Sequence, residues 1–306
     1  MSILRLARWA AVLGIVGSAT LSACPGNPFN INDLLRWASP LNFSLLALGG
    51  PTNVWLDGAS SIGVGTNDSV AGIAGLGSLT VAGYSTIQAR VEHEPDAAIN
   101  VSTGSYVSNV HIEDGSDGTL IMKARSDALN GAYCMAMLTA TVPNTPESLN
   151  INNPQGNITI NADDQLNVVS LTDVILTNGV TVTLSSSQPS CSDQGMSPGD
   201  PNCSFPTLVV NVTGKFSMTG GAKIVLAGGL DEAHVIFNVV GTGDVQFAGD
   251  VDGSRVPTSQ ITGVLFAPYR NVNLAPGLVN GSVIAGGSYI GLSMGAQIVG
   301  HYNVQP

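Results

Sequence analysis

From about residue 55 onward the chain alternates short runs of Val, Ile and Leu with punctuation by Gly, Asn and Asp. β-branched residues fit a pleated, half-buried surface, and the intervening residues supply turns, so the pattern predicts many short strands. The clearest echo lies near the C-terminus, where GVLFA (263–267) returns as GSVIA (281–285). Each is followed by a second strand-like run in nearly the same phase, NVNL from Asn271 and YIGL from Tyr289. Such a period matches one coil of a β-solenoid, in which every rung adds inward aliphatics to a stacked core. The runs TLVVNV, KIVLAG, HVIFNV and DVQFAG read as further rungs. The predicted fold is mainly β, a right-handed parallel β-solenoid.

One stretch breaks the two-residue alternation. Leu120, Met122, Ala124, Ala128, Leu129, Ala132, Met135, Ala136 and Leu138 recur at roughly helical spacing among good helix formers. They predict one helix at about 118–140, lying on the flank of the solenoid and covering apolar surface that the strands expose. A shorter helix is expected over Ile31–Ala38, with Asn30 as N-cap and Pro40 as its stop.

Composition supports repetitive β-structure: 37 glycines, charged residues at 10% and aromatics at 5%. The net charge of −11 argues against nucleic acid as a partner, because phosphate contacts need clustered Lys and Arg. The first residues have the order of a secretory signal: Arg5 and Arg8, an apolar stretch Trp9–Ala19, then Leu21-Ser22-Ala23-Cys24. That last run resembles the lipobox of bacterial lipoproteins, which implies cleavage before Cys24 and lipidation of its thiol. The expected layout is signal peptide 1–23, tether and short helix 24–41, and a single solenoid domain 42–306. Export favours oxidised cysteines, so Cys191 and Cys203, bracketing a polar loop, are expected to form a disulfide, leaving Cys134 as a buried free thiol.

From Phe205 to the end the chain resembles the choice-of-anchor A domain family. The matching residues are Asn211-Val212-Thr213-Gly214, His234 to Asn238, Gly263 to Pro268, Asn280 to Ala285, and His301 with its neighbours. NFSLLALGG (42–50) resembles the family's first strand, whereas Arg90 to Gly118 has no counterpart. The resemblance implies an extracellular module with a structural or adhesive role. Ice-binding β-solenoids share this plan of coil stack and flanking helix, which makes ice binding an alternative. Against it, T-x-T within a strand-like run is confined to Thr181-Val182-Thr183, and neither repeating rung carries Thr at the matching position.

Candidate chemistry is thin. GLSMG (291–295) matches G-x-S-x-G, but a nucleophile elbow needs a following helix and an acid, and no Asp or Glu follows Ser293. Asp250 and Asp252 before Gly253 imitate the start of a calcium loop without its closing Glu, and corner turns are the plainer reading for them, as for Asp163-Asp164 and Asp231-Glu232. The Asp193–Asp200 loop raises the same calcium question. Glu92, His93, Glu94 and Asp96 read as a solvated loop. Histidines 93, 111, 234 and 301 are scattered, so neither metal nor cofactor is expected. The resulting expectation is a non-enzymatic lipoprotein at the bacterial outer membrane or cell surface, held to the membrane by its lipid. It would bind an extracellular polysaccharide, matrix protein or neighbouring cell surface. A surface enzyme acting on polysaccharide is the remaining alternative.

Overall fold

The computed structural model describes residues 43–49, 52–63, 70–112, 119–153, 156–189, 206–241 and 243–300. Cys24, Cys191, Cys203, His301, the 31–38 helix and the 193–200 loop lie outside them. All the strand ladders are parallel, and they form a solenoid of three faces with one flanking helix. A complete coil gives one strand to each face in turn. In the coil of β20 (Val264–Ala267), β21 (Val272–Ala275) and β22 (Leu278–Asn280), inward Val272, Leu274 and Val279 are fully buried.

The 18-residue echo is a true coil period. β23 (Val283–Ala285) lies on β20 with Phe266 opposite Ile284, and β24 (Tyr289–Leu292) lies on β21 with Val272 opposite Ile290. The rungs read from sequence stack in order beneath. β14 (Thr207–Val212) pairs with β17 (Val235–Val239), which pairs with β20, while β18 (Val245–Ala248) pairs with β21. Inside, β15 (Phe216–Met218), β17 and β18 bring Phe216 edge-on to Phe237 at 6.2 Å and stacked on Phe247 at 6.1 Å. Parallel ladders buried on the inner side need such continuous apolar filling.

The coils do not stack in chain order. β1 (Phe43–Ala47) pairs with β23, and β2 (Asn53–Leu56) pairs with β24, so the first coil sits on the last. Ser282 donates its hydroxyl to Phe43 O at 2.6 Å across this seam. Beyond it follow β4 (Val70–Ile73) and β5 (Ser78–Val81), then β6 (Thr86–His93), which spans two faces, and an end coil of β7 (Ala98–Val101) and β8 (Tyr106–Ile112). The chain then returns to the far end through helix α1 (Thr119–Ala136), where β9 (Leu149–Ile151) starts the remaining coils. Eighteen residues of helix span about 27 Å, the height of five to six rungs spaced about 4.8 Å apart.

Helix α1 seals one face, the one built from β1, β4, β14, β17, β20 and β23. Ile121, Ala124, Ala128, Ala132 and Met135 pack on Leu46, Val209, Ile236, Phe266 and Ile284. The small alanines let the helix approach the aliphatic sheet closely. Its last turn is held by polar contacts as well, with Asn211 donating to Met135 O at 2.7 Å and Asn238 to Ala132 O at 3.1 Å. The Met135 carbonyl, one of those a helix end leaves without a partner four residues on, also accepts from the Leu138 amide at 3.2 Å. Met122, by contrast, points to solvent.

Two expectations are corrected. Cys134 is not a free thiol but disulfide-bonded; an apolar setting marks burial and leaves cross-linking open. Glu92 and His93 are not in a solvated loop either, but buried at the end of β6. The Glu92 carboxylate takes Arg90 Nε at 2.7 Å and His111 Nδ1 at 2.6 Å, because β8 sets His111 directly opposite.

Candidate functional site

The helix-covered face turns into a second, open face built from β2, β5, β7, β9, β12 (Val174–Leu176), β15, β18, β21 and β24. At this corner three successive coils bring turn residues together. The coil spacing superposes Asp244 and Asn271, 27 residues apart, and then Asn271 and Tyr289, 18 apart. Asn271 Nδ2 donates to Asp244 Oδ1 at 2.9 Å, Tyr289 OH donates to Asp244 Oδ2 at 2.9 Å, and the Tyr289 amide donates to Asn271 Oδ1 at 3.2 Å. Arg270 is buried beside them, with Nε donating to Gly243 O.

A cavity of about 360 Å³ opens there, lined by Asp244, Tyr269, Arg270, Asn271, Gly287 and Ser288 among others. A Cβ on Gly287 would come within 2.3 Å of the Arg270 carbonyl carbon, so only glycine lets these two corners stack. Burial pushes the Tyr269 phenol up, and burial followed by the Asp244 hydrogen bond and charge does the same for Tyr289. Both are therefore neutral hydroxyls at neutral pH. Burial draws the Arg270 guanidinium down, and Asp244 opposes that. A carboxylate has about four lone-pair sites, of which the two described bonds use two, so the cluster keeps acceptor capacity towards the cavity. Tyr269 is 58% exposed at its rim.

Trp55 extends this aromatic character onto the open face. The Asn53 amide donates to Ser288 O at 3.0 Å, and Trp55 stands two residues further along β2. Its neighbours in the ladder are Thr80 and Gly291, and the indole is 46% exposed. None of these residues was singled out from sequence, since each reads alone as a turn residue or an outward strand position. The signal was the 18-residue echo itself, which already places Asn271 and Tyr289 in one column.

The third face runs through β10 (Ile158–Asn161), β13 (Thr181–Ser186), β16 (Lys223–Gly228), β19 (Gln260–Thr262), β22 and β25 (Gln297–Ile298) to β3 (Ser61–Ile62). Thr159 lies directly opposite Thr183, but the neighbouring column runs Thr181, Lys223, Gln260, Leu278, Gln297, Ser61. The threonine order is local.

The other sequence candidates do not converge. Ser293 lies between β24 and a turn carrying Met294 and Gly295 at positive φ, with β25 rather than a helix following, so no nucleophile elbow forms. Asp252 Oδ1 accepts from the Ser254 and Val256 amides at 2.8 and 2.9 Å, the geometry of a corner turn. Asp231 caps a short 3-10 turn by accepting from the Ala233 amide at 2.8 Å. Among the described residues no group of three or more His, Cys, Asp or Glu is placed to hold a metal ion.

A stack of parallel coils with two polar faces and a helix on the third defines a parallel β-solenoid. The chain belongs to the putative ice-binding-like adhesive domain family, whose model matches residues 44–295. The fold is also that of an ice-binding protein from an Arctic yeast, with a TM-score of 0.50 at 16% identity, covering 88% of this chain and 95% of that one. An ice-binding protein from the Antarctic ascomycete Antarctomyces psychrotrophicus matches at 14% identity and TM-score 0.45, over 87% and 98% of the two chains. A Shewanella frigidimarina ice-binding protein domain matches at 14% and 0.42, over 85% and 95%. No curated protein matches.

Proposed function

We propose that this chain is an exported adhesive module, tethered at the bacterial outer membrane or cell surface through a lipid on Cys24, that binds a surface ligand with its open faces. What supports this most is the asymmetry of the stack. One face is closed by α1, while the other two present parallel ladders and a polar corner cavity, and the catalytic motif read from sequence does not assemble. The family membership and the choice-of-anchor A resemblance both favour adhesion. The test is retention of beads coated with the purified domain on films of glycans and matrix proteins. Retention above albumin-coated beads is expected. Hydrolytic turnover of a film, or retention on none, overturns the reading.

Ice is the second reading, favoured by the Thr159 and Thr183 pair on the third face and by the family's ice-binding-like character. Lys223, Gln260 and Gln297 interrupt the regular small-residue surface that an ice plane requires. Thermal hysteresis at micromolar protein would establish it, and loss of that activity in Thr183→Lys would locate it.

A further inference from the structure

We propose that the corner cavity and the adjoining Tyr269, Tyr289 and Trp55 form a binding site for a neutral glycan. The inference rests on the adhesive reading and names its ligand class.

Sugars present two surfaces at once: axial and ring C–H groups that pack on aromatic faces, and hydroxyls that donate and accept within one plane. The corner supplies partners for both. Tyr269 at the rim and Trp55 on the face are exposed aromatic surfaces in a chain with only 5% aromatics. Large aromatics left in water cost apolar hydration, and burying them against a ligand recovers it. In the cavity lining, Asp244 offers acceptor oxygens, Asn271 one amide hydrogen and one lone pair beyond its described bonds, and Ser288 a hydroxyl. The carboxylate is held in place before any ligand arrives by Asn271 and Tyr289, which lowers the ordering cost of binding. The volume of about 360 Å³ lies at the small end of ligand sites, about 300–1,000 Å³. It suits one or two sugar rings of a longer chain that continues over Trp55.

Charge selects among glycans. Asp244 is balanced by Arg270 within the lining, and the chain carries −11 overall, so an acidic polysaccharide meets repulsion from the molecule as a whole. A polypeptide ligand would need apolar side-chain pockets, whereas this lining is polar apart from its aromatic edge.

The experiment is calorimetric titration of the purified domain with cellohexaose, chitohexaose and mannohexaose, and with hyaluronan as the acidic arm. Parallel titrations use Trp55→Ala, Tyr269→Ala, Asp244→Asn and the third-face control Gln260→Ala, each checked for an unchanged melting temperature. Tyr269→Phe, which keeps the ring, serves as the conservative variant. Binding of at least one neutral hexasaccharide is expected, weakened about tenfold or more by Trp55→Ala or Tyr269→Ala, as for a buried aromatic anchor. Tyr269→Phe and Gln260→Ala should leave it unchanged. The proposal is overturned if no neutral probe binds at about 1 mM, if only hyaluronan binds, or if Gln260→Ala abolishes binding while the corner variants do not. Bead retention that persists in Trp55→Ala and is not competed by any hexasaccharide would sink the glycan site and leave adhesion standing. Loss of all bead retention in the unmodified domain would sink adhesion itself.

Discussion

The helix-covered face and the two open faces are made from the same coils, yet they meet opposite demands. On the covered face outward strand positions are buried and mostly apolar, as with Leu46, Val209 and Ile284, and α1 fits them with alanines. On the open faces the same positions carry Thr183, Gln260, Asn273 or Trp55, with no helix packed over them. One face therefore stores the stability that a coil stack needs between distant coils, and the other two are left free to vary in chemistry. Stability and binding should accordingly respond to different residues.

The sharpest break of this contrast is a charge placed under the helix. Ala132→Glu puts a carboxylate where the side chain is fully buried, and Ala132 O already accepts from Asn238. We expect a loss of about 3 kcal/mol or more, or failure to fold, by urea unfolding. Gln260→Ala on the open third face should stay within about 0.5 kcal/mol. Next is Asn211→Ala, which removes the donor to Met135 O and the Oδ1 that accepts from Asn238 at 2.8 Å. Met135 O keeps the Leu138 amide and Asn238 keeps Ala132 O, so the loss is of two bonds within a buried network, about 1–3 kcal/mol. The double variant with Asn238→Ala should lose less than the sum of the two, because both deletions break one network. A smaller, local effect is expected at the end coil. Glu92→Ala frees Arg90 and His111, both half-exposed, so water takes over much of their solvation. About 1–2 kcal/mol is expected, read by hydrogen exchange as faster opening of β8 with β14 protection unchanged.

The sequence announced the covered face and the coils more clearly than it announced the site. Period-2 alternation marks which side chain points inward, and the 18-residue echo fixed the register of β20 on β23, since coil length and register are the same quantity there. The helix was legible because Ala124, Ala128 and Ala132 repeat at four-residue intervals. Alternation says nothing about which coil lies above which, so the seating of β1 on β23 had no signature, even though NFSLLALGG was recognisable as a strand. Glu92 and His93 were misplaced because their charge outweighed the inward series Ile87, Ala89, Val91 that leads into His93. The corner site stayed hidden for a related reason: Asp244, Tyr269 and Asn271 converge only once coils of different length are superposed.

Two carboxylates at the corners should move stability with pH in opposite directions. Asp163 Oδ1 accepts from the Ser187 amide at 3.0 Å and its hydroxyl at 2.7 Å, and these bonds hold its acidity constant below the ordinary 3.8. Glu232, in the 3-10 turn before β17, is raised above its ordinary 4.5 by burial first and by the Asp231 charge second. A lowered folded value means the native state binds the proton less tightly, so the Asp163 contribution is present above pH 3.8 and is lost as pH falls through its folded value. A raised value reverses the sign: protonated Glu232 favours the fold below pH 4.5, and that advantage is lost as pH rises through its folded value. Asp163→Asn should therefore be less stable than the parent chain at pH 7, with the gap closing in acid. Glu232→Gln should be more stable at pH 7, by less than about 1 kcal/mol, with that gap also closing below pH 4.5. Urea midpoints for the two variants between pH 3 and 7 check the pair, and gaps of the same sign would show that the corners do not divide in this way.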